Sequence, residues 1–562
     1  MLRSVIYATL GRPEDDRTVV VDVAVYGATP GGITAAVSAK RHGLRVALIG
    51  GWREYRLGGM MTGGLCAVDL QNPLSLGALS REVFDRADVL YGRERGASYQ
   101  VTPSGIESVF RDMLAAENIP VYWTRGIDAA RREGNRLRGF RTRDGLNCTA
   151  KVFIDASYEG DLLAFAGVPY RVGREAAYEF GEIHAGFHIA DDDDGFTWKG
   201  QALTIDPYVT PGAPGSGLLR GIHPVSAGGI DRNGDEALQA FNFRTVTTNQ
   251  AGNRRPLPTS APRNYDAGRY EILARWIEAI QDTDPSAVLT MLNFMSASFL
   301  PQGKYDVNNR GPFSTDLYGE NWAYADAGFD YATNRTINYD LREAIWQDQI
   351  DYQMGFFWWL QDPANSRCPA SVRDSFRQHW LCLDEYNEVW PGDPPGWSSQ
   401  YYVREARRMV SDVVLTEQDV RRQSGAAWPW ADSIIGCASY SMDSHNKNRI
   451  LQEYAPGQFR VWNEGGIHVL AGGTNSMIPL PYEILRPRKR DCDNLLATFA
   501  ISATHCAMSV TRMEPTNMLL GHVCGVAARV ALDGLTQAAV QDIDAEALRA
   551  TLRREGIDVD QT

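Results

Sequence analysis

Several stretches of this 562-residue chain carry residue types that do chemistry. Gly27-Ala28-Thr29-Pro30-Gly31-Gly32 joins an apolar run, VVVDVAVYG (19–27), to the Ala-rich ITAAVSAKRHG (33–43). The spacing is G-x-T-x-x-G, with Thr29 standing where a dinucleotide fingerprint has its second glycine. Gly27 permits a tight turn, Gly31 and Gly32 keep Cβ atoms away from a pyrophosphate, and the positive end of the following helix faces the phosphates. Nine histidines limit the choice of a proton-transfer group. His505, seven positions before Arg512, is the first candidate, and His445, with Asp443 nearby to orient its ring, is the second. Arg512 and Glu514 flank a methionine in an apolar region, where unpaired charge is costly, so they are expected to engage each other, a substrate or a cofactor.

Two further groups are candidate substrate contacts. Arg404, Arg407 and Arg408 are spaced to share one face of a helix over 400–410, either as an ion-pair face or as an anion clamp. Asn309, in Asn308-Asn309-Arg310-Gly311 with Asp316 beyond, has the donors and acceptors to bind hydroxyl groups, although turn chemistry would use the same residues.

These residues need elements to position them. The apolar run 19–27, the helix after it and LRVALIGG (44–51) make a βαβ unit. The second strand ends in Gly50-Gly51 where an acid would bind the adenosine ribose. Either Glu54 takes over from the following loop, or backbone and water do; Gly50 also leaves room for a 2′-phosphate facing Arg53, the less favoured reading. Twelve of the fourteen tryptophans fall between 175 and 465, a region with helical stretches at 340–361 and 400–423. The expected domains are 18–175, a first nucleotide-binding part; 176–465, a Trp-rich substrate domain; 466–540, a returning nucleotide-binding part; and 541–562, a helical tail. A net charge of −13 argues against nucleic acid or acidic membrane as partner. The eight cysteines are far apart and read as buried small hydrophobes, no metal site is expected, and a cytoplasmic location is the default without an export signal or a spanning segment.

Arg56-Leu57-Gly58-Gly59-Met60, followed by Thr62-Gly63-Gly64-Leu65, resembles the R-x-LGGM-x-T-G-G-L loop of a bacterial FAD-dependent oxidoreductase family that includes proteins named xanthan lyase, within the glutathione-reductase-like flavoproteins. Further blocks follow in order: VFIDASYEGDLLAFAGVPYRVGRE, KYDVNNRGPFSTDLYGENW, QYYVREARRMV, SYSMDSHN and IPLPYEILRPRKRDCDNLL. The resemblance implies an α/β fold: a glutathione-reductase-like (Rossmann-type) FAD-binding domain with an inserted mixed α+β substrate domain. It implies FAD as cofactor. Beside the first glycine turn, the implied cofactor contacts are Gly50, Arg56, Gly58, Gly59, Met60, Thr62, Gly63, Gly64, Ile127, Asp155, Ala156, Ser157, Asp161, Gly521 and His522, the last standing where family members usually have Gln. The family's Pro-His-Gln before the 400–410 segment is Ser398-Ser399-Gln400 here, so a histidine that would serve there is missing.

The expectation is an enzyme that transfers hydride between flavin N5 and a small polar or aromatic molecule (sugar, polyol, amine or phenol-like), with His505 or His445 handling the proton and Arg404, Asn309 and Glu514 touching substrate. A flavin-dependent monooxygenase using NAD(P)H and O₂ and a carbohydrate lyase with structural flavin are the alternatives. The electron acceptor (O₂, a quinone or a protein) and the oligomeric state stay open.

Overall fold

The computed structural model describes residues 17–189, 195–224, 231–333, 335–422, 428–455, 458–469, 477–533 and 539–560. Its first layer starts with β1 (Val23–Tyr26), followed by helix α1 (Pro30–Arg41), β2 (Val46–Gly50), β3 (Val121–Trp123) and β4 (Val152–Asp155). The expected strand over 19–27 is divided. Thr18–Val20 pairs with Asn147–Thr149, whereas β1 pairs with β2 and β4. The break falls at Asp22, whose carboxylate holds Arg45 at 3.1 Å and Lys151 at 2.9 Å, a surface clamp that cannot sit inside an apolar strand. Thr18–Val20 thereby joins a small sheet that runs on through Arg136–Thr142 to Ile127–Glu133.

The second half of the site rests on an antiparallel sheet of β5 (Thr245–Thr248), β6 (Met295–Leu300), β7 (Lys304–Asn309) and β8 (Trp380–Leu381), in the order β6-β7-β5-β8. Beside it runs α2 (Tyr339–Gln361), as the sequence predicts, capped by the Asn338 side chain and packed through Trp346, Phe356 and Phe357. The other predicted helix does not form. Residues 400–407 carry no helix, Arg408–Met409 pairs with Tyr170–Arg171, and Glu417–Val420 is a single helical turn. Long-range ion pairs override the local pattern: Arg404, Arg407 and Arg408 each reach a carboxylate on a different element, so they do not share one face.

The chain then returns to the first layer. Strand β9 (Leu495–Ala497) pairs in parallel with β4, completing a Rossmann-type sheet of order β9-β4-β1-β2-β3. Helices α3 (His505–Thr511) and α4 (Glu514–Ala531) follow, and α4 lies directly against α1. Glycine makes that approach possible: a Cβ on Gly521 would stand 2.0 Å from the Gly31 carbonyl oxygen, and one on Gly525 would stand 2.5 Å from Ser38. All eight cysteines are buried free thiols. Among the described residues no helix is long and apolar enough to cross a membrane.

Gly521→Ala is therefore expected to force the two helices apart and destabilise the fold by about 1–3 kcal/mol, the usual cost of overpacking. Thermal unfolding compared with Ala→Gly controls on the exposed face of another helix measures it.

Candidate functional site

A turn and two loops converge at the carboxyl ends of β1, β2 and β4, where an open parallel sheet presents its ligand crevice. Gly27 has φ +109°, and a Cβ there would stand 2.5 Å from the backbone of Ala156 and Ser157. Thr29 caps α1: its hydroxyl accepts from Gly32 N–H at 3.1 Å and donates to Ala156 O at 2.8 Å. Pro30 is the first helical residue, where its missing N–H costs nothing. Glu54 takes the position left open by Gly50-Gly51. Its carboxylate accepts from the N–H groups of Ala28 (2.8 Å) and Gly51 (2.7 Å), directly on the glycine turn. Burial pushes its pKa up to about 7, with Glu159 and Asp155 adding to the rise.

The loop after β2 reaches the same place. Met60 N–H donates to the Tyr158 hydroxyl at 2.9 Å, and Tyr158 donates at 2.5 Å to Glu514, the first residue of α4. Gly59 has room only for hydrogen, because a Cβ would lie 2.3 Å from that hydroxyl. Burial raises Glu514 to about 7. Asp155 is likewise raised to about 7 by burial, against hydrogen bonds from Ser157 and from the Leu163 N–H.

A narrow cleft of about 10 Å³ lies here, lined by Tyr26, Gly51–Glu54, Ser157, Glu159, Asp161 and, from the other half, Tyr324, Arg342, Trp346 and Gln400. Buried atoms without protein partners border it: the Tyr26 hydroxyl and Arg53 Nη1.

Several predicted contacts have other occupations. A Cβ on Gly50 would strike the Trp123 ring at 2.5 Å, so that space holds an indole and leaves none for a 2′-phosphate. Arg53 stacks on Trp346 at 4.3 Å and pairs with Asp393 at 2.8 Å. Arg56 pairs with Glu107 and lies over Tyr386. Thr62 donates to Gly59 O at 3.0 Å, Gly63 abuts Gln400, and Gly64 packs on the Arg244 backbone. Asp161 is gripped by Arg342 and Arg407, with contacts of 2.7–2.8 Å. The Ile127 carbonyl accepts from the Tyr339 hydroxyl at 3.2 Å. Gly521 belongs to the α1–α4 contact. His522 lies at the far end of α1, where its Nε2 is 2.5 Å from Glu555, and Glu555 also holds His42 at 2.9 Å. Neither residue borders the cleft.

A second cavity, of about 580 Å³, opens where the chain leaves the Gly58–Leu65 loop, with Ala67, Val68 and Asp69 on its wall. Its wall includes Asp69, Arg244, Ser296, Ser298, Asn308, Tyr402, Tyr440, Asp443 and His445. His445 Nδ1 is 2.6 Å from Asp316 Oδ2, and Arg404 Nη2 stands 3.2 Å from the other oxygen. Burial, reinforced by Arg404, lowers His445 to about 4 even against the pull of Asp316. The ring is thus a neutral imidazole at neutral pH, its Nδ1–H fixed by the carboxylate and its Nε2 left as acceptor.

His505 lies elsewhere. It is fully buried, 2.8 Å from Glu405, and absent from the cavity wall. Arg404 stands behind Asp316 and outside the wall, so it positions without clamping substrate. Strand alternation turns Asn308 to the cavity wall in place of Asn309. Arg512 reaches the wall indirectly, holding Asp443 at 2.9 Å and the Tyr402 hydroxyl at 2.7 Å. Glu514 faces Tyr158 and not this cavity. Sequence reasoning missed Asp69, Arg244, Tyr158 and Tyr440. Tyr158 and Tyr440 had a signal, since both fall inside blocks that carry the family resemblance, and Asp69 closely follows the glycine loop, whereas nothing local marks Arg244 in FNFRT.

The family described as FAD dependent oxidoreductase matches residues 22–552, and the chain belongs to it. Its fold is the Rossmann type of the FAD-binding flavoproteins, and it is an FAD enzyme. No protein of curated function matches. Among solved structures, a geranylgeranyl bacteriochlorophyll reductase-like protein from Thermoplasma acidophilum is 18% identical over 27% of this chain and 43% of its own, with TM-score 0.19. Thioredoxin reductase from Streptococcus pyogenes is 20% identical over 28% and 40%, TM-score 0.18. The OxyS anhydrotetracycline hydroxylase from Streptomyces rimosus is 11% identical over 28% and 36%, TM-score 0.22. The chain spans less than half the length of each of these structures, and the family match alone carries the assignment.

The residues fit FAD. Unpartnered Tyr26 and Arg53 atoms border a cleft at the carboxyl ends of the parallel strands, and the glycine turn with the Glu54 carboxylate supplies donors and acceptors for phosphate and ribose. A carboxyl raised from its ordinary 4.5 to about 7 makes the folded state hold a proton more tightly than the unfolded chain. Its stabilising effect is complete below about 4.5 and is lost as pH rises to about 7. Flavin-free Glu54→Gln should therefore show a shallower fall in melting temperature over that window than the flavin-free parent.

Proposed function

We propose that this chain oxidises a small polar organic molecule by removing hydride from a carbon that bears a hydroxyl, and that the 580 Å³ cavity beside His445 receives it. The observation that supports this reading is the Arg404–Asp316–His445 series, which ends in a neutral imidazole on the wall of a polar cavity.

FAD, when bound, supplies the two-electron hydride acceptor. The protein's residues do the rest. Asp316 fixes the His445 tautomer, so that Nε2 is the basic nitrogen and takes the hydroxyl proton as the carbonyl forms. Arg404 keeps Asp316 ionised; the guanidinium and the imidazole together hold its carboxyl below the usual range against burial. Arg512 fixes Asp443 and Tyr402 on the cavity wall, and Arg244 fixes Asp306, which in turn accepts from the N–H groups of Cys66 (3.0 Å) and Ala67 (3.2 Å) and so sets the course of the loop. Glu514 and Tyr158 tie the start of α4 to the glycine loop at the cofactor.

Anaerobic mixing with a panel of alcohols, amines and phenols is expected to bleach the flavin's visible band with at least one alcohol. Bleaching by NAD(P)H alone, with none by any panel member, would favour a monooxygenase. His445→Ala should slow substrate-driven bleaching by about 10²–10⁴-fold, the range for a lost general base, at unchanged FAD content. In the parent, the acid limb of kcat/KM should fall near pH 4, where His445 takes up a proton and loses its acceptor. His505→Ala should leave that limb in place.

A further inference from the structure

The cavity beside His445 has a charge pattern that selects its occupant. The arginine on its wall, Arg244, and the one behind it, Arg512, are already matched. Arg244 forms two contacts to Asp306, of 2.8 and 2.7 Å, and Arg512 pairs with Asp443 at 2.9 Å. Asp69 is different. Its Oδ1 accepts from the Tyr440 hydroxyl at 3.0 Å, and among the described residues its Oδ2 has no protein partner. Burial holds this carboxyl above its ordinary range, opposed by Arg244 and Arg512 and aided by Asp443. Ser296, Ser298 and Asn308 add neutral hydrogen-bonding groups to the same wall.

We infer that the substrate is a neutral polyhydroxylated molecule, a polyol or a sugar unit with adjacent hydroxyls, and that Asp69 is the residue that selects it. This rests on the oxidation proposed above for the same site. A carboxylate or phosphate entering the cavity would face the Asp69 carboxylate without an unmatched guanidinium to receive it, and placing like charges together in a partly dry site is unfavourable. An ammonium would be drawn to Asp69 but would also meet the fields of Arg244 and Arg512, and it would have to shed a proton before its carbon could yield hydride. Hydroxyl groups meet neither obstacle. They donate to Asp69 Oδ2, accept and donate along the Ser296–Ser298–Asn308 wall, and present an O–H to His445. Charge-assisted hydrogen bonds to a carboxylate are about twice as strong as neutral ones, so Asp69 carries the largest single share of recognition.

Calorimetric and anaerobic spectral titrations of the FAD-loaded enzyme with sorbitol, glucose and cellobiose, against sodium gluconate and putrescine, test this. At least one neutral compound should bind, and Asp69→Asn should weaken it about tenfold or more at unchanged FAD content, whereas gluconate and putrescine should not bind measurably. Tyr440→Phe, which leaves the carboxylate in place, should stay within a few-fold of the parent, which keeps the test open if Asp69→Asn folds poorly. Tighter binding of gluconate or putrescine than of any neutral compound, no binding by any of the three, or binding that ignores Asp69→Asn overturns the assignment. Asp69-dependent binding of a polyol without bleaching would leave the substrate class standing and sink the oxidation. Bleaching by gluconate, with tighter binding than any neutral compound, would do the reverse.

Discussion

Three arginines on one extended stretch, each buried and each facing a carboxylate from a different element, hold both cavities in place. Arg404 meets Asp316, Arg407 meets Asp161, and Arg408 meets Glu175, at 3.2, 2.8 and 2.6 Å. Arg407 also donates to the carbonyls of Glu159 and Asp326, and Arg408 to that of Ala503. Desolvating such pairs consumes much of their attraction, so their worth lies less in net stability than in register: removing one partner leaves an uncompensated buried charge, typically at a cost of about 3–5 kcal/mol. Arrangements that slide the 400–409 segment by one residue would uncouple all three pairs together. The same stretch therefore fixes the Asp161 wall of the cofactor cleft and the Asp316 support of His445.

The cofactor side shows a different economy of charge. Glu54, Asp155 and Glu514 are carboxyls that burial raises to about 7, each hydrogen-bonded by neutral donors and without a cation in direct contact. Such groups are costly to ionise, and of the three Glu54 lines the cleft at the strand ends. The α1 N-terminus and the unpartnered Arg53 and Tyr26 atoms are the groups there that would attract a phosphate.

The parts of the site that were legible are those set by backbone need. Gly27, with φ +109° beside Ala156, and Gly32, whose Cβ would touch Gly27 O, are glycines because nothing larger fits, and such a requirement shows in a single sequence. Glu54 was legible as the acid nearest the end of β2, and it is found on the glycine turn, accepting from the Ala28 and Gly51 N–H groups. The 400–410 segment was misread because Glu405 and Arg408 do form an i,i+3 ion pair, at 3.1 Å, yet without a helix: local charge spacing was satisfied while distant carboxylates decided the backbone. Asn308 and Asn309 differ by one position, and only strand register tells which faces the cavity. Gly521 and His522 were assigned to the cofactor by position in a resemblance, whereas the packing of α4 on α1 decides where they point.

His505 and His445 illustrate why two similar signals diverge. Each has a carboxylate on Nδ1, at 2.8 and 2.6 Å, and each is lowered chiefly by burial. The difference is what faces Nε2. For His505 it is buried protein, where that nitrogen has no hydrogen-bond partner among the described residues, and Lys447 and Arg408 nearby disfavour a second positive charge. For His445 it is a cavity large enough for a substrate. A base must accept a proton from something that can arrive and leave, so access, more than basicity, separates the two rings. Arg404 then has a double action at the accessible ring: its field lowers the affinity of His445 for a proton, and it holds Asp316 ionised beside Nδ1.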